Sequence, residues 1–103
     1  MTTQQPVAST VCVRLPGALR AHADGKRCVD LPVDGPVPLA TLLDELDRRA
    51  PALARKIRDE QGRLRRYVNV YIDGLDAREH GDPATAPVRP GAEVLVLPSV
   101  AGG

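Results

Sequence analysis

Tyr67-Val68-Asn69-Val70-Tyr71-Ile72-Asp73-Gly74 is the stretch from which the fold is read. Val68, Val70 and Ile72 alternate with Tyr67, Asn69 and Tyr71, so an extended chain has one apolar face and one half-polar face. A period of two in β-branched and aromatic residues predicts a strand, and Asp73-Gly74 is a dipeptide that turns the chain back. Working outward, Glu93–Leu97 repeats the alternation after the turn Arg89-Pro90-Gly91-Ala92, with Val94 and Val96 inward and Leu95 and Leu97 outward. Toward the N-terminus, Thr10–Leu15 puts Val11, Val13 and Leu15 on one face before Pro16-Gly17 ends it. Arg27–Leu31 places Val29 and Leu31 inward. The two runs predict a hairpin with a polar connection through Asp24-Gly25.

Between the hairpin and Tyr67 the period changes. Leu39, Leu42, Leu43 and Leu46 recur at helical spacing, with Asp44, Glu45, Asp47, Arg48 and Arg49 on the remaining surface. Pro36 and Pro38 bracket the start of this helix, Pro38 suiting a first-turn position, and Pro51 marks its end. Leu53 and Ile57 predict a shorter helical turn within Ala52–Arg58, and Asp59-Glu60-Gln61-Gly62 predicts a turn. The stretch through Gly81-Asp82-Pro83 reads as irregular. The order strand, strand, helix, strand, irregular segment, strand fits an α+β architecture, one sheet with one helix packed across it.

Composition narrows the function classes. A chain of 103 residues makes one domain, and with two Tyr and neither Phe nor Trp its core must be aliphatic. Fourteen Lys+Arg against 13 Asp+Glu leave a net charge of +1, which argues for neither nucleic acid nor membrane as a partner. No run approaches the roughly 20 apolar residues of a membrane span. Met1-Thr2-Thr3-Gln4-Gln5-Pro6 lacks the charged and apolar portions of a signal peptide. A cytoplasmic protein is therefore expected, with Cys12 and Cys28 reduced in the resting cell.

The chain ends Leu97-Pro98-Ser99-Val100-Ala101-Gly102-Gly103. Two terminal glycines form a backbone without Cβ atoms, narrow enough for a tight channel, and carry one reactive group, the α-carboxylate of Gly103. This ending resembles the Pro-x-Val-Ala-Gly-Gly terminus of the MoaD/ThiS sulfur carriers, and the element order resembles the ubiquitin-like β-grasp. Gly62–Gly74 and Pro90–Pro98 look like the member that supplies sulfur to a cysteine synthase. The resemblance covers residues 9–103, departing at Ser99, where the family often has Pro or Ala. It implies a mixed sheet of four to five strands on one main helix over residues 9–97. A disordered tail at 1–8 and a flexible one at 98–103 flank it.

The resemblance also implies the chemistry. A carboxylate is a poor electrophile, because its charge repels nucleophiles and oxide is a bad leaving group. A ubiquitin-activating-like adenylyltransferase would consume ATP to convert Gly103 to an acyl-adenylate. Sulfur would then displace AMP, leaving a thiocarboxylate (1-thioglycine) at Gly103. The chain would be a protein cosubstrate with no bound cofactor or metal, serving a sulfur-accepting enzyme such as a cysteine synthase. Val100, Ala101 and Gly102 would thread the partner's channel; extended, residues 98–103 reach on the order of 20 Å. A molybdopterin synthase small subunit, a protein modifier joined to lysine amines and an interaction domain with an inert end are the alternatives.

Leu95, Leu97, Tyr67 and Tyr71 share the predicted outer face of the sheet and are the candidate partner-binding patch. The alternative is that they merely cover the sheet, or that the facing is off by one residue and buries them. Cys12 and Cys28 fall on the outward parity of their strands, opposite each other if the hairpin is centred near Arg20. They read as a pair of small outer-face side chains rather than a disulfide or sulfur relay. His22 and His80 lack companions for metal or catalytic work. Arg55, Lys56, Arg58, Arg63, Arg65 and Arg66 read as a solvated face offset by Asp59 and Glu60 rather than a steering patch.

Overall fold

The alternating runs and the leucine stripe form the two layers of the structure, a computed structural model that describes residues 9–98. Among these residues there are seven strands and three helices. In chain order they are β1 (Thr10–Arg14), α1 (Gly17–Arg20), β2 (Cys28–Pro32), β3 (Val37–Pro38), α2 (Leu39–Arg49), α3 (Pro51–Ile57), β4 (Val68–Ile72), β5 (Leu75–Asp76), β6 (Pro87–Val88) and β7 (Glu93–Pro98). Single 3-10 turns cover Ala21–Ala23, Ala77–His80 and Pro83–Thr85.

The main sheet has the order β2-β1-β7-β4-β5. β1 and β7 run parallel, while the other neighbours are antiparallel. The last strand among the described residues is thus the middle strand of the sheet. Its inward residues are those the alternation assigned: Val94 lies across from Val13 and Ile72, and Val96 across from Val70. These side chains, with Val11, Leu31 and Val68, share one buried cluster with Leu39, Leu42, Leu43 and Leu46 of α2 and with Leu53 and Ile57 of α3. Among the described residues no polar or charged residue is buried, so the core is purely aliphatic.

Three local features differ from the sequence-based expectation. The connection after β1 is helical rather than a polar loop: Leu19 of α1 and Ala23 of the turn that follows it are buried, as is Leu15 just before α1. Their spacing of four residues is a helical stripe, but too short to stand out from the surrounding polar chain. The stretch 75–88 is only partly irregular. β5 pairs with the end of β4, and β6 pairs with β3 in a small second sheet. Strands of two residues carry no alternation, so only tertiary contacts define them. Pro38 caps α2 instead of entering its first turn, pairing with Pro87 while the Leu39 amide donates to the Ala86 carbonyl at 2.9 Å. Pro51, in contrast, occupies the first turn of α3.

The cysteines bring a correction. Cys12 and Cys28 are joined by a disulfide rather than being separate thiols. The hairpin register sets Cys12 opposite Asp30 and Cys28 opposite Arg14, which centres the hairpin one residue beyond Arg20. The cysteines are therefore diagonal neighbours with Cα atoms 6.0 Å apart, a separation a disulfide spans.

Candidate functional site

β7 carries the chain to the C-terminal segment, and its geometry defines the site. Asn69 lies opposite Leu97 and Tyr71 opposite Leu95; the strand continues to Pro98, paired with Val68. Because inward positions are filled by Val94 and Val96, Leu95 and Leu97 stand on the outer face, half-buried. Leu95, Leu97 and Tyr71 line one shallow hollow of about 270 Å³ with Gly74 and Glu93. Val100, Ala101, Gly102 and Gly103 lie outside the described residues.

The turn beside the hollow is built by the Asp73-Gly74 dipeptide. Asp73 (φ 50°) and Gly74 (φ 90°) are both left-handed, as the tightest hairpin turn between twisted strands requires. Asp73 also locks the turn to β7: its amide donates to the Glu93 carbonyl and its Oδ1 accepts from the Glu93 amide, both at 2.9 Å. Sequence reasoning read the turn but not this second role, whose partner lies twenty residues away. Glu93 completes the rim through an ion pair of 2.7 Å with Arg14, which raises the Arg14 pKa.

Tyr67 is set apart from the other three patch residues. It is 40% exposed and lines a separate hollow of about 460 Å³ with His22, Arg55, Lys56 and Arg65. Parity placed all four on one face, but the register brings together only Leu95, Leu97 and Tyr71, since Tyr67 precedes the paired part of β4. The basic stretch is also less uniform than its sequence. Arg58 bonds Asp44 at 2.8 Å, and the Arg65 Nε donates to the Arg55 carbonyl. Asp59 folds its own loop instead, accepting from the amides of Arg63 and Gln61. The Arg63 amide chiefly, with the Gln61 amide, holds its carboxyl below the ordinary carboxylate range.

Arg78 fixes the start of β4. Its guanidinium donates to Asn69 Oδ1 at 3.1 Å and to the Val68 carbonyl at 3.0 Å. It thereby steadies the strand against which Pro98 ends, a role no local pattern signals. Cys12, Cys28 and Asp30 bring their ligand atoms within 4.8 Å of one another on the outer face, with both sulfurs engaged in the disulfide. No helix among the described residues is long and apolar enough to cross a membrane.

A mixed five-stranded sheet gripping one main helix, whose middle strand is the last among the described residues, is the ubiquitin-like β-grasp. Within that class the chain belongs to the ThiS family, which it matches over residues 13–103. The sulfur carrier protein CysO of Mycobacterium tuberculosis is 34% identical over 95 residues, covering 90% of this chain and 98% of that protein. Small archaeal modifier protein 1 of Haloferax volcanii is 32% identical over 83 residues, covering 81% of this chain and 90% of that protein. The crystal structure of the BexX/CysO complex of Amycolatopsis orientalis superposes with a TM-score of 0.74 at 32% identity, covering 90% of this chain and 99% of that one. The chain is thus related both to sulfur carriers and to a ubiquitin-like modifier.

Proposed function

We propose that this protein is a sulfur carrier thiocarboxylated at Gly103. In this reading the Gly103 carboxylate oxygen attacks the α-phosphorus of ATP on a ubiquitin-activating-like adenylyltransferase, releasing pyrophosphate. Sulfide then adds to the acyl carbon and AMP leaves; with a persulfide donor RSS⁻ the product is an acyl disulfide, from which a second thiol R′SH takes the RS group as RSSR′ and frees the thiocarboxylate. The resulting thiocarboxylate is soft and polarizable, and so a good nucleophile toward an activated small-molecule acceptor, on the way to cysteine or a specialised metabolite. The carrier supplies no acid or base of its own; the partner enzymes do the chemistry.

One observation carries the reading: the middle strand of the sheet runs to Pro98, five positions before Gly103 in the sequence, and presents Leu95 and Leu97 beside Tyr71 on its outer face. A partner seated on that hollow takes hold of the strand that delivers the reactive end. A small apolar patch with a polar rim, here Glu93 and Arg14, suits a transient protein contact. That a CysO relative has been crystallised in complex with BexX supports docking of this kind.

The test is coexpression with a sulfur-loading adenylyltransferase and intact-mass measurement. The mass is expected to rise by one oxygen-to-sulfur exchange, localised to the C-terminal peptide. An unchanged mass beside an active loading enzyme refutes the reading. Kinship with small archaeal modifier protein 1 favours a second reading, attachment of Gly103 to lysine amines. Conjugates of higher mass that retain this chain would identify it.

A further inference from the structure

We propose that Cys12–Cys28 is a reversible thiol–disulfide exchange site whose substrate is a low-molecular-weight, zwitterionic thiol. The sulfurs are bonded, yet neither cysteine is buried: both stand half-exposed on the outer face, and the bond ties β2, the edge strand among the described residues, to its neighbour β1. A disulfide serving the core would sit among its side chains; this one is outside the aliphatic cluster. Access is asymmetric. Cys28 forms part of the wall of an open hollow of about 780 Å³, whereas Cys12 does not line it. The hollow carries both charge signs, Lys26 and Arg49 against Asp24 and Asp30, which matches a small thiol bearing ammonium and carboxylate groups.

The exchange balances without any other reagent. A thiolate RS⁻ attacks Cys28 Sγ from beyond the free edge of β2, where the hollow opens; the Cys12–Cys28 bond breaks, Cys12 leaves as a thiolate and takes a proton. A second RS⁻ attacks the outer sulfur of the mixed disulfide, RSSR departs, and the Cys28 thiolate is protonated. Two electrons pass from two small thiols to the protein disulfide, and the reverse sequence, with RSSR as oxidant, restores it. Exchange rates depend on access to the attacked sulfur, so the edge position of Cys28 on β2, against that of Cys12 on β1 between two strands, selects Cys28. This inference does not rest on the sulfur-carrier reading, because it uses neither Gly103 nor the Leu95 hollow.

Glutathione and glutathione disulfide are the probes. The full chain is equilibrated in buffers of graded ratio, quenched with an alkylating agent and weighed intact. The expected result is a transition from two alkylated cysteines to none within the buffered range, without unfolding. In Cys12→Ser the remaining Cys28 is expected to form a mixed disulfide with glutathione several-fold faster than Cys12 does in Cys28→Ser. Two alkylations at every ratio would overturn the proposal, as would none at any ratio until urea is added. Equal rates, or a faster Cys12, would overturn the assignment of Cys28 as the attacked sulfur. If the reduced protein instead retains zinc and resists glutathione disulfide, the Cys12–Cys28–Asp30 group is a metal site and the proposal fails.

Discussion

Val94 and Leu95 are sequence neighbours on the middle strand, and the structure sets them on opposite faces. Val94 has no exposed surface and lies between Val13 and Ile72 in the core. Val94→Ala removes two buried methyl groups, about 1.6 kcal/mol of transfer free energy at about 0.8 kcal/mol per carbon. Neighbours on both adjacent strands are held by ladder hydrogen bonds and close the gap only partly, so a cavity term brings the total to about 2–3 kcal/mol. For a domain of this size that lowers the Tm by about 10–20 °C. Leu95→Ala removes a half-buried side chain from the outer hollow and is expected to cost about 1 kcal/mol or less in stability. Its effect falls on docking instead, where truncation should weaken the adenylyltransferase complex by about 1 kcal/mol or more, roughly fivefold in Kd. Urea unfolding with a shared m-value measures the first quantity, and titration calorimetry on the folded proteins measures the second. Equal destabilisation by the two substitutions would refute the facing of β7. Unchanged affinity of Leu95→Ala would refute the docking role.

Gly102→Val or Gly103→Val is expected to leave the melting curve unchanged and to abolish adenylation; pyrophosphate release at a near-normal rate would count against threading through a narrow channel. Gly74→Ala should destabilise by about 1–2 kcal/mol, because its φ of 90° is left-handed and the penalty there is backbone strain rather than a clash. Gly17→Ala, with open space around its Cβ position and no positive φ, should be neutral or slightly stabilising, and chemical unfolding of both variants separates the cases. The Asp59 carboxyl is held below its ordinary range in the folded state, so it contributes stability above the unfolded-state pKa and loses it as pH falls through the folded one. Asp59→Ala should therefore be less stable than the parent at neutral pH, and the gap should narrow as pH falls below the ordinary aspartate value of about 3.9. A gap independent of pH would show that the loop is held by something else.

The sequence by itself determined the parity of β1, β4 and β7, the Leu39–Leu46 stripe and the aliphatic core. Each of these is a repeating pattern that one buried face imposes on neighbouring residues. It also supplied the family, through the Pro98–Gly103 ending and the segments around Tyr67 and Pro90. Tertiary structure alone decided which strands are neighbours, and so which outer-face residues meet. Tyr71 reaches Leu95 and Leu97 while Tyr67 joins Arg65 and Lys56, a division that follows from pairing register and leaves no mark in local alternation. The same holds for Asp73 on Glu93, Arg78 on Val68, and the one-residue shift of the hairpin that sets Cys28 beside Arg14 while leaving it within bonding distance of Cys12. Such contacts join residues distant in sequence, where no period exists to betray them; they form only once burial of the aliphatic faces has fixed the layers.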